Sequence, residues 1–145
     1  MEICQMMHKG AMLHKRLMTR ILERYDLTFA QYQVMKTISE HPGTSAKEIL
    51  VYMDTDKATL SGVLYRLEQR GMIVRKKDPE DRRLVHIHLS EESQMICSEV
   101  THLEKACEED LLKGMRSKEL KFFLEGFNHV LNNQIKKLEQ ENENT

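Results

Sequence analysis

Apolar positions along the N-terminal part of the chain fall at helical spacing. Ile3, Met7, Gly10, His14, Leu17 and Ile21 follow a 4-3-4-3-4 rhythm, the seam of a helix that meets another helix. Met6, Leu13 and Leu22 widen the apolar surface, so the pattern predicts a helix over 2–25 buried against several partners. Asp26-Leu27-Thr28 interrupts it, and Thr28 fits the N-cap of a second helix over 29–40, ended by His41-Pro42-Gly43. Thr44 or Ser45 caps a short third helix. Glu48 lies three residues after Ser45, the spacing of a capping box, and Ile49, Leu50 and Met53 face inward. Asp54-Thr55-Asp56 forms the next cap and turn. A fourth helix then runs to Arg70 with Leu60, Val63, Leu64 and Leu67 inward, and Gly71 stops it.

The period then changes from helical to alternating. Met72-Ile73-Val74 opens a strand, and Val85, Ile87 and Leu89 alternate with Leu84, His86 and His88 in its partner. The intervening turn, Lys76 to Arg83, is too polar to be buried and rich in turn-forming residues. Ser90-Glu91-Glu92 caps a fifth helix reaching about Gly114, with a stripe of Ile96, Val100, Leu103 and Cys107. Ser117 caps a sixth that presents Leu120, Phe123, Leu124, Phe127, Leu131 and Leu138, and the terminal EQENENT reads as polar and frayed.

With 145 residues the chain has the size of one domain with a core of its own. Its net charge of -1 conceals an asymmetry. Residues 44–90 carry nine Lys/Arg against seven acids, whereas residues 91–145 carry twelve acids against seven bases. A mildly basic middle beside an acidic C-terminal part suits a nucleic-acid reader joined to a module that avoids nucleic acid. No apolar run is long enough to span a bilayer. The N-terminal MEICQMMHKG lacks the order of a secretion signal. Three irregularly spaced Cys make no disulfide framework and point to a reducing cytoplasm.

A short helix, a turn, a longer helix and a basic hairpin make a shape that fits DNA, the helix in a major groove and the hairpin tip in the next minor groove. On these elements the sequence resembles the MarR family of bacterial transcription regulators over nearly its whole length. The resemblance is carried by Leu27-Thr28-x-x-Gln31-Tyr32, Asp56-Lys57-x-Thr59-Leu60, Leu67-Glu68-x-x-Gly71-Met72-Ile73 and Asp81-x-Arg83-x-Val85-x-Ile87-x-Leu89-Ser90. It implies a mainly α fold with a small β-hairpin: a winged helix-turn-helix lobe over 28–90, and a helical dimerisation region over 1–25 and 91–141, within one domain of 1–145. Lys57, Thr59, Ser61 and Arg66 lie on the face of the fourth helix opposite Leu60, Leu64 and Leu67, where they would meet base edges and phosphates. Thr55 and Lys57, near that helix's start, suit phosphate contacts assisted by its dipole. Arg83 resembles the family's minor-groove arginine. Asp81 is placed to hold its guanidinium, and Lys76, Lys77 and Arg82 to meet backbone phosphates.

The family is dimeric, so Ile3, Met7, Leu17, Phe127, Leu131 and Leu138 are the expected interface positions. The partners expected are a near-palindromic double-stranded DNA operator, a second copy of the chain, and a small aromatic or other effector, with no membrane. The resemblance implies a repressor released by that effector, which Met6, Met12, Met18 and Met35 could enclose adaptably. An alternative is peroxide sensing through Cys4, which falls in register with the reactive Cys of one branch of the family. The tyrosine positions of that branch are Met18 and Phe29 here, and neither can donate to a thiolate. No His/Cys spacing makes a metal site, no cofactor is implied, and no catalytic motif appears. A rival of another class is a protein-interaction module on a winged-helix scaffold; Arg83 and Lys57 argue against it.

Overall fold

The computed structural model of the protein describes residues 2–143. Helix α1 (Ile3–Leu22) runs into a 3-10 turn at Glu23–Tyr25. Then come α2 (Phe29–Glu40), α3 (Ala46–Tyr52), α4 (Lys57–Gln69), strands β1 (Ile73–Lys77) and β2 (Val85–Leu89), α5 (Glu91–Leu111) and α6 (Ser117–Glu143). The strands pair antiparallel from Ile73↔Leu89 to Lys77↔Val85. This is the mainly helical class with one hairpin that the residue pattern predicts.

Local chemistry sets the helix starts. The Gln31 N–H donates to Thr28 Oγ1 at 3.1 Å and the Thr28 N–H returns to Gln31 Oε1 at 2.9 Å, a reciprocal box that starts α2. Ser45 and Glu48 do the same for α3. Gly71, at φ +67°, ends α4: its N–H donates to Glu68 O, and the Met72 N–H donates to Leu67 O, both at 2.9 Å. That left-handed turn is why a glycine stands there.

Compact units divide between Lys105 and Ala106, within α5. In the first, Met18 and Leu22 from α1, Tyr32, Met35 and Ile38 from α2, Ile49 from α3, Leu60, Leu64 and Leu67 from α4, Ile87 from β2 and Val100 from α5 are all essentially inaccessible and form one cluster. Truncating any of the leucines to alanine would cost ~2–5 kcal/mol. Within this unit Ile3, Met6, Met12 and Leu13 of α1 are exposed, and its C-terminal end, at Met18 and Leu22, enters the core. In the second unit, Phe123 and Phe127 stack along α6 with ring centroids 5.8 Å apart.

Two terminal expectations need correction. Ser117 is the first residue of α6 and not its cap; the cap position is Arg116, whose N–H donates to Glu119 Oε2 at 2.9 Å. The EQENENT tail continues α6 as helix through Glu143, where a polar segment outside any element is the expectation, and Lys137 and Glu141 lie 3.7 Å apart one turn along it. Asn144 and Thr145 lie outside the described residues.

Candidate nucleic-acid interface

Helix α4 is fixed from three directions. Its inward stripe of Leu60, Val63, Leu64 and Leu67 is buried. Its N-cap is Asp56, which accepts from the Thr59 N–H at 2.8 Å and from the Thr59 hydroxyl at 2.6 Å. At its end, Arg70 donates from Nη1 to the carbonyl of Asp26 at 2.6 Å. The opposite face carries Lys57, Ala58, Ser61, Tyr65 and Arg66, all exposed. Tyr65 is 61% accessible, a large exposed aromatic surface. A Cβ added at Gly62 would meet nothing within 4 Å. The face is thus low in the middle and cationic at its ends, a shape that lets the helix backbone approach a groove closely.

The hairpin carries its charge outward. Lys76 and Lys77 on β1, and Arg82 and Arg83 in the turn, are exposed. Arg75 is not free in the same way: its Nε lies 3.1 Å from Glu68 Oε2, tying the hairpin base to α4. The turn is closed by short-range bonds. The Asp78 N–H donates to Leu84 O and the Leu84 N–H to Asp81 O, both at 2.9 Å. Asp78 Oδ1 accepts the N–H groups of Glu80 at 2.8 Å and Asp81 at 2.9 Å. On its inner side β2 also pairs with Thr44, whose carbonyl accepts the Ile87 N–H at 2.8 Å.

His86 joins these pieces. Its Nδ1 lies 2.8 Å from the carbonyl oxygen of Gly43 and its Nε2 2.8 Å from Asp78 Oδ2. The Gly43 carbonyl and the Asp78 carboxylate are both acceptors, so this geometry favours the imidazolium, in which both ring nitrogens donate. The hydrogen bond that the ring donates to Asp78, then the one it donates to the Gly43 carbonyl, raise the His86 pKa above its ordinary value. The same bond, with the turn N–H groups, lowers the Asp78 carboxyl to about 2. Gly43 itself sits at φ +81°, with His88 Cε1 3.3 Å from where a Cβ would stand, so a side chain there would be both strained and crowded.

The expected site residues divide clearly. Lys57, Ser61, Arg66, Lys76, Lys77, Arg82 and Arg83 lie on two exposed cationic surfaces, α4 and the hairpin tip. Thr59 is exposed, but its hydroxyl proton is committed to Asp56. Thr55 is half-buried, and the anion position at the start of α4 is already filled by the Asp56 carboxylate, which the Thr59 hydroxyl and N–H hold below the usual range. The expected clasp of Asp81 on the Arg83 guanidinium is not formed: Asp81 Oδ1 accepts the Arg83 backbone N–H at 2.9 Å, and among the described residues no ion pair joins the two side chains. The short Asp side chain reaches its own turn more easily than a flexible guanidinium.

Tyr65, Gly62 and His86 were missed by sequence reasoning. The i, i+4 spacing of Ser61 and Tyr65 was the available signal for the first. Of the four methionines considered for an effector pocket, Met18 and Met35 are core residues, while Met6 and Met12 are exposed. Cys4 is exposed in the first turn of α1. Of the expected interface positions, Ile3, Leu131 and Leu138 are exposed and Met7, Leu17 and Phe127 half-buried.

Comparisons with known proteins fall on the same elements. A model of the MarR family matches residues 27–85, from the α2 cap to the start of β2. The transcriptional regulator HosA of Escherichia coli O111:H- is 30% identical over 107 residues, covering 74% of this chain and 79% of that protein. The crystal structure of the transcriptional regulator SlyA superimposes with a TM-score of 0.84 at 18% identity, covering 94% of this chain and 96% of that one. A putative MarR family transcriptional regulator from Listeria monocytogenes, solved with a 26mer DNA, gives 0.80 at 17% identity, covering 92% and 89% of the two chains. At such identities the two structures bear on the fold.

Proposed function

The chain belongs to the MarR family, and from that premise we propose that it is a sequence-specific DNA-binding transcriptional regulator, acting as a homodimeric repressor on a near-palindromic operator. The carrying observation is the pairing of an exposed α4 face, bearing Lys57, Ser61, Tyr65 and Arg66, with a hairpin whose Arg82 and Arg83 are exposed. The α4 face fits a major groove and supplies base-edge donors and an aromatic surface. The hairpin tip offers arginine to a minor groove and lysines to phosphates. The Listeria protein of similar fold is solved with DNA, which supports the same use of these elements.

A second copy is supported by unburied apolar surface. Ile3, Met6 and Leu13 on α1 and, separately, Leu131, Ile135 and Leu138 on α6 are exposed. Surface of this kind marks interaction sites. Two copies would place half-site centres roughly 10 bp apart. Release by a small aromatic or other effector is the mode of control that this reading carries. No helix among the described residues is long and apolar enough to cross a membrane, in keeping with action in the cytoplasm.

The test is a gel shift of the purified protein on DNA from upstream of its own gene and on a random-sequence pool, at rising salt and with and without salicylate or peroxide. Binding that is selective for some sequences and falls steeply with salt supports the reading. Loss in salicylate identifies an aromatic effector, and loss in peroxide alone brings Cys4 forward. No shift on any DNA at low salt refutes DNA binding and leaves the interaction-module reading.

A further inference from the structure

A continuous line of hydrogen bonds runs from the turn behind α2 to the tip of the hairpin. It begins at the Gly43 carbonyl and passes through both nitrogens of His86 to Asp78 Oδ2. Across that carboxylate, Asp78 Oδ1 holds the Glu80 and Asp81 N–H groups. Asp81 Oδ1 then holds the Arg83 N–H. Gly43 is in turn fixed to β2, since its N–H donates to Ile87 O at 3.1 Å. The hairpin has only five residues in each strand, and β1 buries just Ile73, so packing does little to fix its tip. The line of bonds does what packing does not.

Resting on the DNA-binding reading above, we infer that His86 is a positioning residue for the hairpin. In its doubly protonated form it ties the turn carrying Arg83 to the helix-turn-helix body, and DNA affinity falls when the ring loses a proton. Loss of either ring proton leaves a lone pair facing the Gly43 carbonyl or the Asp78 carboxylate, which repels instead of binding. The surrounding charges set the range. From the turn, Asp78 favours the imidazolium by its hydrogen bond, and from α3 Glu48 adds a weaker attraction. From β1, Lys76 stands opposite His86 in the strand register, and partial burial of the ring works against its charge. His88, two residues along β2, and His41, in the turn behind α2, are the neighbouring titratable rings. Because the folded-state pKa of His86 is raised, the clasp is complete below the ordinary histidine value and is lost as pH rises through the raised one. A reader using this clasp holds its operator most tightly on the acid side of neutrality.

Two measurements decide it, one of them independent of DNA. The first is the nitrogen-15 spectrum of the His86 ring in the wild-type full chain from pH 5.5 to 9. Protons on both ring nitrogens persisting above the pH at which an ordinary imidazole loses one, with backbone shifts of Asp81 and Arg83 following the ring's titration, are expected. A ring carrying a single proton at pH 6, or hairpin shifts indifferent to it, overturns the clasp. The second is affinity at fixed salt, across the same range, for a duplex selected by the wild-type protein from a random-sequence pool. The wild type should weaken by about tenfold as the clasp opens, and His86→Gln should bind weakly throughout with a flat profile, as expected for loss of shape and not of a phosphate contact. A His86→Gln protein that keeps wild-type affinity and pH profile overturns the inference. Failure to select any duplex refutes the DNA-binding reading and the positioning role with it, while the ring spectrum still judges the clasp.

Discussion

The Tyr32 hydroxyl on α2 donates to Glu104 Oε2 on α5 across 3.0 Å, and the same oxygen accepts from Lys36 Nζ at 2.8 Å. The phenol oxygen also lies 3.2 Å from Thr101 Oγ1. Tyr32 is essentially inaccessible, so its hydroxyl depends on these partners. Burial pushes the Glu104 carboxyl up, but the hydrogen bonds from Lys36 and Tyr32 outweigh it and hold the group below the usual range. A partly buried polar knot thus ties a helix of the DNA-reading lobe to the helix that follows the hairpin.

Tyr32→Phe should therefore destabilise the protein by ~1–2 kcal/mol, since the aromatic packing survives and only the hydroxyl's bonds are lost. The midpoint of urea unfolding measures it. Glu104→Gln in the Tyr32→Phe background should cost less than it does alone, because the two share a bond. Additive losses would show that the pair is not coupled.

Asp78 gives the protein a dependence on acid. Its folded-state carboxyl lies at about 2, below the ordinary value, so its contribution is complete above the ordinary aspartate pKa and is lost as pH falls toward 2. Urea midpoints at pH 5 and pH 3 should fall further for the wild type than for Asp78→Asn. Equal falls would place the acid loss elsewhere, Glu104 being the next group whose carboxyl is held low.

What could be read from sequence alone was what lies close along the chain. The Ser45–Glu48 box and the Asp56 cap span three residues each, and the buried stripe of α4 follows from its period. The His86–Gly43 bond spans forty-three residues. It exists only because β2 pairs with Thr44 on one side and β1 on the other, and no local pattern encodes that double pairing. Asp81 and Arg83 show the opposite failure. Charge complementarity suggested a side-chain pair, but an aspartate in a turn has a backbone N–H two residues on, closer and cheaper in entropy to capture. The methionines were placed by composition, which says nothing of facing; two enter the core and two point to solvent.

Arg83→Ala should weaken DNA binding without unfolding the protein, since its side chain is exposed and its backbone bond to Asp81 is kept. If Arg83 neutralises a phosphate on its way into the groove, the slope of log affinity against log salt should shrink by about one. Titrations at several salt concentrations measure both effects. Unchanged affinity would remove the hairpin tip from the interface.

Gly62 separates fold from function most sharply. In a helix interior, glycine to alanine gains ~1 kcal/mol, because the unfolded chain loses freedom and the helix backbone is better formed. Beyond the backbone of its own helix turn, nothing among the described residues lies within 4 Å of the methyl that Gly62→Ala would add, so no clash offsets the gain. Thermal unfolding should show a stabilised variant. If the low centre of the α4 face lets the backbone approach the groove, the same methyl stands in the DNA's path, and affinity should drop while stability rises. A stabilised variant with undiminished affinity would mean that α4 meets DNA through its ends, at Lys57 and Arg66, and not along the Ser61–Tyr65 stretch. A loss of stability would instead mean that the helix is held by contacts the added methyl disturbs.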